Sequence, residues 1–466
     1  MTLANIHKKL GRLVAGTTLA LLIGSSAAQS APVDESEAVA LADAWYSAEI
    51  DANYTKLSKS ECEERLAAIS GRRVRYLVDE DALLDVYPAD GKLMAYVVSY
   101  EPSGYVIVAG EDAIQPVVAF DVESEFKWDE DDNENNMMRF FVAPAVKRQI
   151  ANKSQTVHEN WSLLRSSMKG GARLDKAAGA DDTEYYKWPS VLWGQGGFYD
   201  DLVVPQNGGA AVPTGCVATA MAIKMRFCEW PLEGTGSHSY TDNNGSIQFS
   251  HSVAYYTQEY PWENMPTSNL TAANTDVARL MYQAGVAVDM NYEVGGSGAF
   301  PTVDDLEDHF GYRGTIEVTA DHDVYLEKCM KGMLPTLITS SNHMLVVDGY
   351  RSDVAPYFYI NAGWSGSSNG WIGLYDLPSP SGSDITRTYA YCSPTGWEYI
   401  DGSYAGPTNI GTLPQPYDNF EAGYNAAPTE GGRLLVTAGT YELGSSMTLD
   451  KAIRIHALEG TVCIKK

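Results

Sequence analysis

The order of two kinds of hydrophobic periodicity most constrains the fold of this chain. Two apolar runs with helical spacing come first: TGCVATAMAIKMRF, from Thr214, and TDVARLMYQAGVAVDM, from Thr275. Strand-like runs follow them: TLITSS, HMLVVDGY, PYFYIN and GWIGLYDL. Helices followed by antiparallel strands predict an α+β fold in which the helix that carries Cys216 packs against a sheet. That packing would place Cys216 and His343 on opposite walls of a cleft.

Cys216 stands at the start of the first predicted helix, directly after the turn Thr214-Gly215. The positive end of the helix dipole and the unpaired N–H groups there favour the thiolate, which is the nucleophilic form of cysteine. His343 enters a strand-like run further along the chain, and Asn361 ends another. A cysteine, a histidine that activates it and a polar side chain that orients the imidazole predict acyl-transfer chemistry.

Each of these three residues also has an ordinary structural explanation. A cysteine near a helix start is usually packed in a core. A histidine beside an apolar strand is more often structural than catalytic, and Asn361 before Ala362-Gly363 is typical of a turn. The ordered set favours catalysis, because one cysteine with histidine and asparagine well downstream is a known arrangement of cysteine nucleophiles.

Four segments carry a resemblance to a known family: WGQGGFYDDLVVP, TGCVATAMAIKMRFCEWP, NHMLVVDGY and INAGWSGSSNGWIGLYDL. In this order, over roughly residues 185–395, they resemble the streptopain family of secreted bacterial cysteine peptidases, which have a papain-like fold. The resemblance implies that Cys216 is the nucleophile and His343 the general base. It implies that Gln195 is an oxyanion-hole donor together with the Cys216 backbone N–H. Asn361 matches the asparagine of the family's Asn-Trp-Gly-Trp segment.

The chain departs from the family pattern directly after that asparagine. Ala362 replaces the usual tryptophan, although Trp364 keeps the second one. Because a large aromatic side chain would shield the imidazole, alanine predicts a looser and more hydrated His343.

Four residues are predicted to bind substrate. The Gly-rich segment MNYEVGGSGAF, residues 290–300, resembles a substrate-contacting loop of the family, which implicates Ser297 and Gly298. Asn342 and Trp364 flank the predicted base and the asparagine segment. A simple flexible turn explains the Gly-rich spacing equally well.

Residues 31–153 are predicted to form a small α/β prodomain. EAVALADAWYSAEI has helical spacing, LMAYVVSYEPSGYVIVAG predicts two strands, and an amphipathic helix follows an acidic run. GYVIVAGEDAIQPVVAF resembles the family's propeptide, which implies an intramolecular inhibitor that blocks the active-site cleft until it is removed. Residues 154–183 have the polar composition of an exposed linker and are predicted to contain the maturation cleavage.

Residues 1–30 are predicted to be a secretory signal peptide. Lys8, Lys9 and Arg12 form a basic start, Leu13–Gly24 is apolar, and SSAAQSA suits cleavage. The alternative is a membrane anchor, but about a dozen apolar residues fall short of the ~20 that span a bilayer. We therefore expect a secreted, extracellular protein with no membrane span.

Composition and cysteine spacing exclude several classes of partner. With 60 acidic and 33 basic side chains, the net charge of -27 argues against nucleic-acid binding. The six cysteines lack the close spacing of a zinc site or of a disulfide framework, so we expect no metal, no cofactor and no essential disulfide. The acidic run Asp129–Glu134 is better explained as a solvated helix start than as a metal site.

Residues 396–466 differ from the rest of the chain. Short strands separated by glycine at even intervals predict the first rungs of a right-handed parallel β-helix. Because a rung cannot bury its face alone, this β-rich extension is expected to dock on the catalytic domain, residues 184–395, or to form a small module. Surface retention, carbohydrate contact or no role at all are equally compatible with it.

Three functions are compatible with these observations. The favoured one is a secreted cysteine endopeptidase, made as a zymogen, that acts on proteins or peptides. A transglutaminase-type acyltransferase would share the chemistry up to the acyl-enzyme and use an amine as acceptor. A degenerate peptidase acting as an adhesin would explain Ala362 and the β-rich extension, but the intact set of Gln195, Cys216, His343 and Asn361 argues against it.

Overall fold

The computed structural model of the protein describes residues 29–52, 59–78, 82–85, 88, 93–126, 142–152, 155–169, 184–203, 210–244, 247–340, 343–352, 355–373 and 385–466. The helices in this part of the chain are α1 Glu35–Ala52, α2 Lys59–Ala68, α3 Ala143–Asn152, α4 Glu159–Lys169, α5 Cys216–Cys228, α6 Thr275–Ala287, α7 Asp305–Phe310, α8 His322–Lys331 and α9 Phe420–Ala426. None of the helices described is long and apolar enough to cross a membrane.

The strands are β1 Arg73–Val78, β2 Ala82–Leu84, β3 Leu93–Ser99, β4 Tyr105–Ala109, β5 Val117–Asp121, β6 Tyr185–Lys187, β7 Ser237–Asn244, β8 Ile247–Ala254, β9 Tyr312–Arg313, β10 Ile316–Val318, β11 Thr336–Ser340, β12 His343–Arg351, β13 Tyr357–Asn361, β14 Gly370–Ile372, β15 Ile385–Ala390, β16 Ser393–Pro394, β17 Trp397–Ile400, β18 Glu430–Val436, β19 Gly439–Glu442, β20 Ala452–Ala457 and β21 Val462–Lys465.

A single antiparallel sheet joins the N-terminal region to the region that holds Cys216 and His343. Its strand order is β10-β15-β11-β12-β13-β14-β5-β4-β3-β1-β2, and β6 pairs with β12. The junction lies between β14 and β5, where Trp371 is opposite Phe120 and Ile372 is opposite Ala119. The N-terminal strands therefore extend the edge of the later sheet.

Helix α5 packs against β12 and is buried on nearly every side, as its mostly apolar sequence requires. Strand β12 is buried along its whole length. The predicted α+β class is confirmed, with the cysteine on a helix and the histidine on the antiparallel sheet. The predicted helices at α1, α5 and α6 and the predicted strands at β3, β4, β11, β12 and β13 are also present.

Part of the predicted linker, residues 154–183, is helical. Residues Glu159–Lys169 form helix α4, in which Trp161 is buried and Arg165 pairs with Glu37 and Asp112 of the N-terminal region. The helix was missed because the stretch is polar on average. Trp161, Leu164 and Met168 nevertheless form an apolar face at helical spacing. Residues 170–183 lie outside the described residues, as do residues 1–28 and the acidic run Asp129–Glu134.

The C-terminal extension contains parallel strands stacked in rungs. Strands β17, β18 and β20 form one parallel sheet, and β19 pairs in parallel with β21. The extension also docks on the preceding domain, since the Tyr399 hydroxyl donates to the Gly332 carbonyl (3.0 Å) and Arg313 pairs with Glu398 (2.8 Å). Its own small hydrophobic cluster includes Leu434 and Val436. The domain boundaries given above stay predictions.

Candidate active site

Cys216 is the first residue of α5 and is partly exposed. The chain enters the helix through Gly215, whose φ of 85° is a left-handed conformation that favours glycine. A side chain at Gly215 would also collide with its surroundings, because a Cβ there would lie 2.8 Å from the Met290 sulfur and from the Ser297 carbonyl oxygen. The tight turn seen in the sequence thus brings the helix start against the loop of residues 290–298.

The thiol of Cys216 is hydrogen-bonded to the imidazole of His343, the first residue of β12. Burial alone would raise the pKa of this thiol. The charge and hydrogen bond of His343, with the backbone amides of Met344 and Val217, outweigh burial and lower the pKa of Cys216 below that of an ordinary thiol. Pairing with His343 therefore raises the thiolate fraction of Cys216 above that of an ordinary cysteine.

The orienting partner of His343 is a backbone carbonyl. Its Nε2 lies 3.1 Å from the Ala362 carbonyl oxygen. Because a carbonyl oxygen only accepts hydrogen bonds, Nε2 carries the proton of the neutral ring and Nδ1 is left as the acceptor. The Trp364 ring lies 4.9 Å from the imidazole, and His343 is 7% exposed. The expectation of a hydrated imidazole beside Ala362 is wrong, because Trp364 packs on the ring.

The described hydrogen bonds of the Asn361 side chain go to groups other than the imidazole, and its predicted orienting role stays a prediction. Its side-chain amide donates to the Val191 carbonyl (2.9 Å), and its side-chain oxygen accepts from the Gly363 N–H (3.2 Å). It is fully buried and is also hydrogen-bonded to Asp348. Asn361 thus holds the turn that presents the Ala362 carbonyl, and the carbonyl orients the imidazole.

Sequence analysis did not identify several residues that support the site around His343. Asp348, buried within β12, accepts from Ser190 (2.8 Å) and pairs with Lys187 (3.0 Å). Burial raises the pKa of its carboxyl despite these partners. The side-chain oxygen of Asn369 accepts from the Ala362 N–H (2.9 Å). The one signal in the sequence was an aspartate inside the strand-like run HMLVVDGY, where a charge needs a buried partner.

Gln195 lies next to the segment that leads into the nucleophile. Its backbone carbonyl accepts from the Thr214 N–H (2.9 Å) and from the Thr214 hydroxyl (3.2 Å). The Thr214 hydroxyl in turn contacts the hydroxyl of Thr219 in α5 (2.9 Å). These bonds tie the Gln195 backbone to Thr214, two residues before Cys216, and the oxyanion-hole role stays a prediction.

The predicted substrate-binding residues are only partly brought together. The Ser297 hydroxyl donates to the Pro213 carbonyl (2.6 Å), and Gly298 exchanges two backbone hydrogen bonds with Asn291 (2.8 and 3.0 Å). Trp364 lies against His343, as described above. Asn342 lies outside the described residues.

The other cysteines differ from Cys216 in environment. Cys228, Cys329 and Cys392 are buried, which raises the pKa of each thiol, to about 11 for Cys392. Cys463 is exposed, and all of the cysteines whose side chains are described are free. In the described part of the chain no group of three or more acidic, histidine or cysteine side chains could hold a metal ion. The lack of a cofactor stays a prediction.

We expect iodoacetamide to label Cys216 before any other cysteine. The thiolate is the reactive form, and Cys216 combines a lowered pKa with partial exposure. Peptide mapping after brief labelling at pH 6.5 measures this, with the exposed Cys463 as the internal comparison. Selectivity should fall at alkaline pH, where ordinary thiols also ionise. Equal labelling of Cys216 and Cys463 at pH 6.5 would contradict an activated thiol.

Two family assignments agree with this geometry. Residues 193–372 match the peptidase C10 family, and residues 30–150 match the Spi protease inhibitor family. The first range includes Gln195, Cys216, His343 and Asn361. The second covers the N-terminal strands that extend the sheet beyond β14.

Individual proteins similar to this chain include cysteine peptidases. Streptopain of Streptococcus pyogenes is 25% identical over 335 residues, which cover 65% of this chain and 79% of streptopain. A thiol protease/hemagglutinin of Porphyromonas gingivalis is 27% identical over 198 residues, which cover 39% of this chain and 22% of that protein. The structure of a prointerpain A fragment from Prevotella intermedia has a TM-score of 0.50 at 20% identity. The match covers 72% of this chain and 100% of the fragment, which supports the fold.

Proposed function

Since the chain is a cysteine-type peptidase of the peptidase C10 family, we propose that it is an endopeptidase that cleaves peptide bonds through an acyl-enzyme on Cys216. The observation that carries this proposal is the hydrogen bond between Cys216 and His343, with the lowered pKa of the thiol. The Cys216 thiolate attacks the carbonyl carbon of the scissile bond. The C–N bond then breaks, and the acyl group stays on sulfur.

His343 moves the protons of this reaction. Protonated on both nitrogens beside the thiolate, it gives the Nδ1 proton to the leaving amine, while Nε2–H stays bonded to the Ala362 carbonyl. The neutral ring then takes a proton from water, whose oxygen attacks the acyl carbon and releases Cys216. The fixed Nε2 bond keeps the ring in the tautomer and orientation that both transfers need.

The negative charge of the tetrahedral intermediate needs hydrogen-bond donors at its oxygen. Cys216 begins α5, so its backbone N–H is free of helical bonding, and Gln195 is held beside it through Thr214. We assign these two N–H donors to the oxyanion hole. Donors that are held in position before the substrate arrives stabilise such a charge without reorganisation.

The N-terminal domain is proposed to be an inhibitory prodomain. Its described contacts fall on β12–β14 and the loop of residues 362–369, whereas the resemblance had implied that it fills the cleft. Glu49 pairs with the buried Arg351 (2.9 Å), and the Tyr105 hydroxyl donates to the Asn369 carbonyl (3.1 Å). Asn369 is also the residue that holds the Ala362 N–H. The domain therefore acts on the loop that carries the orienting carbonyl of His343.

Maturation tests the zymogen proposal. We expect the chain of residues 32–466 to shorten, with a new N-terminus between residues 170 and 184, because Arg165 ties α4 to the prodomain and β6 is paired with β12. Cys216→Ala is expected to stay full length. Intact mass against time measures both. Normal shortening of the alanine variant, purified alone, would contradict autocatalytic processing.

The products distinguish hydrolysis from acyl transfer to an amine. With a protein substrate and a primary amine together, a peptidase yields shorter peptides with new carboxyl termini, whereas a transglutaminase yields amine adducts at glutamine. Protein or peptide substrates are the proposed partners. Secretion stays a prediction from residues 1–30, of which residues 1–28 lie outside the described part of the chain.

A further inference from the structure

The hairpin of β7 and β8 contacts the loop of residues 290–298 through side chains that the proposed chemistry does not use. The Tyr292 backbone N–H donates to the Asp242 carboxylate (3.1 Å). The Tyr240 hydroxyl donates to the Met290 carbonyl (2.6 Å). Tyr240 and Asp242 are two residues apart on one strand, so they share a face of the hairpin. One strand therefore holds the first turn of the loop at two points.

The other end of the loop lies against the segment that leads into Cys216. The Ser297 hydroxyl donates to the Pro213 carbonyl (2.6 Å). Gly215 packs so closely on Met290 and the Ser297 carbonyl that no side chain fits there. The loop thus connects the hairpin to the start of α5, and its position beside the nucleophile depends on both ends.

Burial of the Asp242 side chain is unfavourable for the stability of the fold. Its side chain is wholly buried, and one carboxylate oxygen has no hydrogen-bond partner among the described residues. The nearest possible cation, His251, has its Nε2 3.9 Å from the other oxygen and bonds the Tyr282 hydroxyl through Nδ1 (3.1 Å). A buried carboxylate that is poorly paired costs stability. The hydrogen bond from the Tyr292 N–H is the stabilising contact that Asp242 makes with the loop.

We propose that Tyr240 and Asp242 are positioning residues for substrate binding: they hold the loop of residues 290–298 as the wall of the cleft that receives the extended main chain of a peptide substrate. The inference rests on the proposed endopeptidase function. It assigns to the β7–β8 hairpin an effect on peptide affinity and leaves the chemistry to Cys216 and His343.

Kinetics of Asp242→Ala in the full chain, after maturation, test this inference. Hydrogen bonds to charged groups are strong enough that losing this anchor should raise KM about tenfold. We expect kcat and the rate of Cys216 labelling by iodoacetamide to change less than about threefold, since a small reagent does not need the wall. Asp242→Asn keeps an acceptor for the Tyr292 N–H and is expected to restore most of the affinity.

Tyr240→Phe provides a second variant that removes one hydroxyl and keeps the ring, which stacks on His251 at 5.0 Å. It should raise KM about threefold, by the loss of one neutral hydrogen bond. Thr241→Ala, on the exposed face of the same strand, is the matched control and should leave KM unchanged. An unchanged KM in both Asp242→Ala and Tyr240→Phe, or a fall in kcat alone, would overturn the inference.

Hydrogen exchange separates this inference from the proposed function. Faster amide exchange across residues 290–298 in Asp242→Ala, with the rest of the chain unchanged, is expected whether or not the protein cleaves peptides. Unchanged exchange would overturn the positioning role. Wild-type protein that lacks peptidase activity would contradict the proposed function instead.

Discussion

Cys216→Ala is expected to lower kcat for peptide hydrolysis by about 10⁴-fold or more, which corresponds to about 5 kcal/mol of transition-state stabilisation. In the proposed mechanism the Cys216 thiolate makes the bond to the substrate carbon, and alanine offers no atom that can replace it. A fluorogenic peptide assay measures the loss. Wild type and variant are treated with the same external protease beforehand, so that an unprocessed prodomain cannot explain the difference.

The matched control is Cys463→Ser, which changes an exposed cysteine of the C-terminal extension and should leave kcat unchanged. His343→Ala should cause a loss similar to that of Cys216→Ala, because residues that act as a unit are not additive. Residual activity of Cys216→Ala above about one hundredth of wild type would point to another nucleophile and contradict the assignment.

Gln195→Ala is expected to lower kcat by roughly 100- to 1000-fold, or about 3 to 4 kcal/mol, with a smaller change in KM. In the proposed role, the side-chain amide of Gln195 acts on charge that develops only in the transition state. The backbone bonds from Gln195 to Thr214 do not involve the side chain, so the substitution should preserve the local fold. Kinetics and thermal melting on the same preparation measure both effects.

Gln258→Ala is the control for the loss of a glutamine. Gln258 is partly buried, and its amide bonds the Ala254 carbonyl and the Thr257 hydroxyl, away from Cys216. It should leave kcat unchanged. If Gln195→Ala lowers the melting temperature while the rate per folded molecule changes less than about threefold, Gln195 is structural and another donor serves the oxyanion.

The core of the catalytic region was predictable because its periodicities are strong. Helix α5 and strand β12 are almost continuously apolar, and the sequence places Cys216 and His343 at their first residues. Two such apolar elements are expected to pack against each other, and the family resemblance implied that their first residues act together. The pairing of Cys216 with His343 therefore followed from local pattern and the family resemblance.

The orienting group of the imidazole was not predictable from residue types. The Ala362 carbonyl is a backbone atom and has no signature in the sequence, whereas the neighbouring Asn361 has a side chain that fits the expected role. The structure turns that side chain towards Val191 and Gly363 instead. The roles of backbone groups at sharp turns cannot be identified from residue types.

The pairing of strands distant in sequence was the second feature that could not be predicted. Strands β5 and β14 are about 250 residues apart in sequence, and nothing in either strand specifies the other as its partner, because edge strands pair through backbone groups common to all residues. The resemblance to a propeptide implied an inhibitor in the cleft. The shared sheet and the bond from Tyr105 to Asn369 emerged only from the structure.

Acid-quench mass spectrometry of a slowly turned-over peptide ester shows whether Cys216 carries the covalent intermediate. Wild-type protein should carry the mass of the acyl group on the peptide that contains Cys216, and His343→Ala should carry none on the same timescale. Turnover of the ester with no acyl group on Cys216, or with the acyl group on another residue, would contradict this role of Cys216.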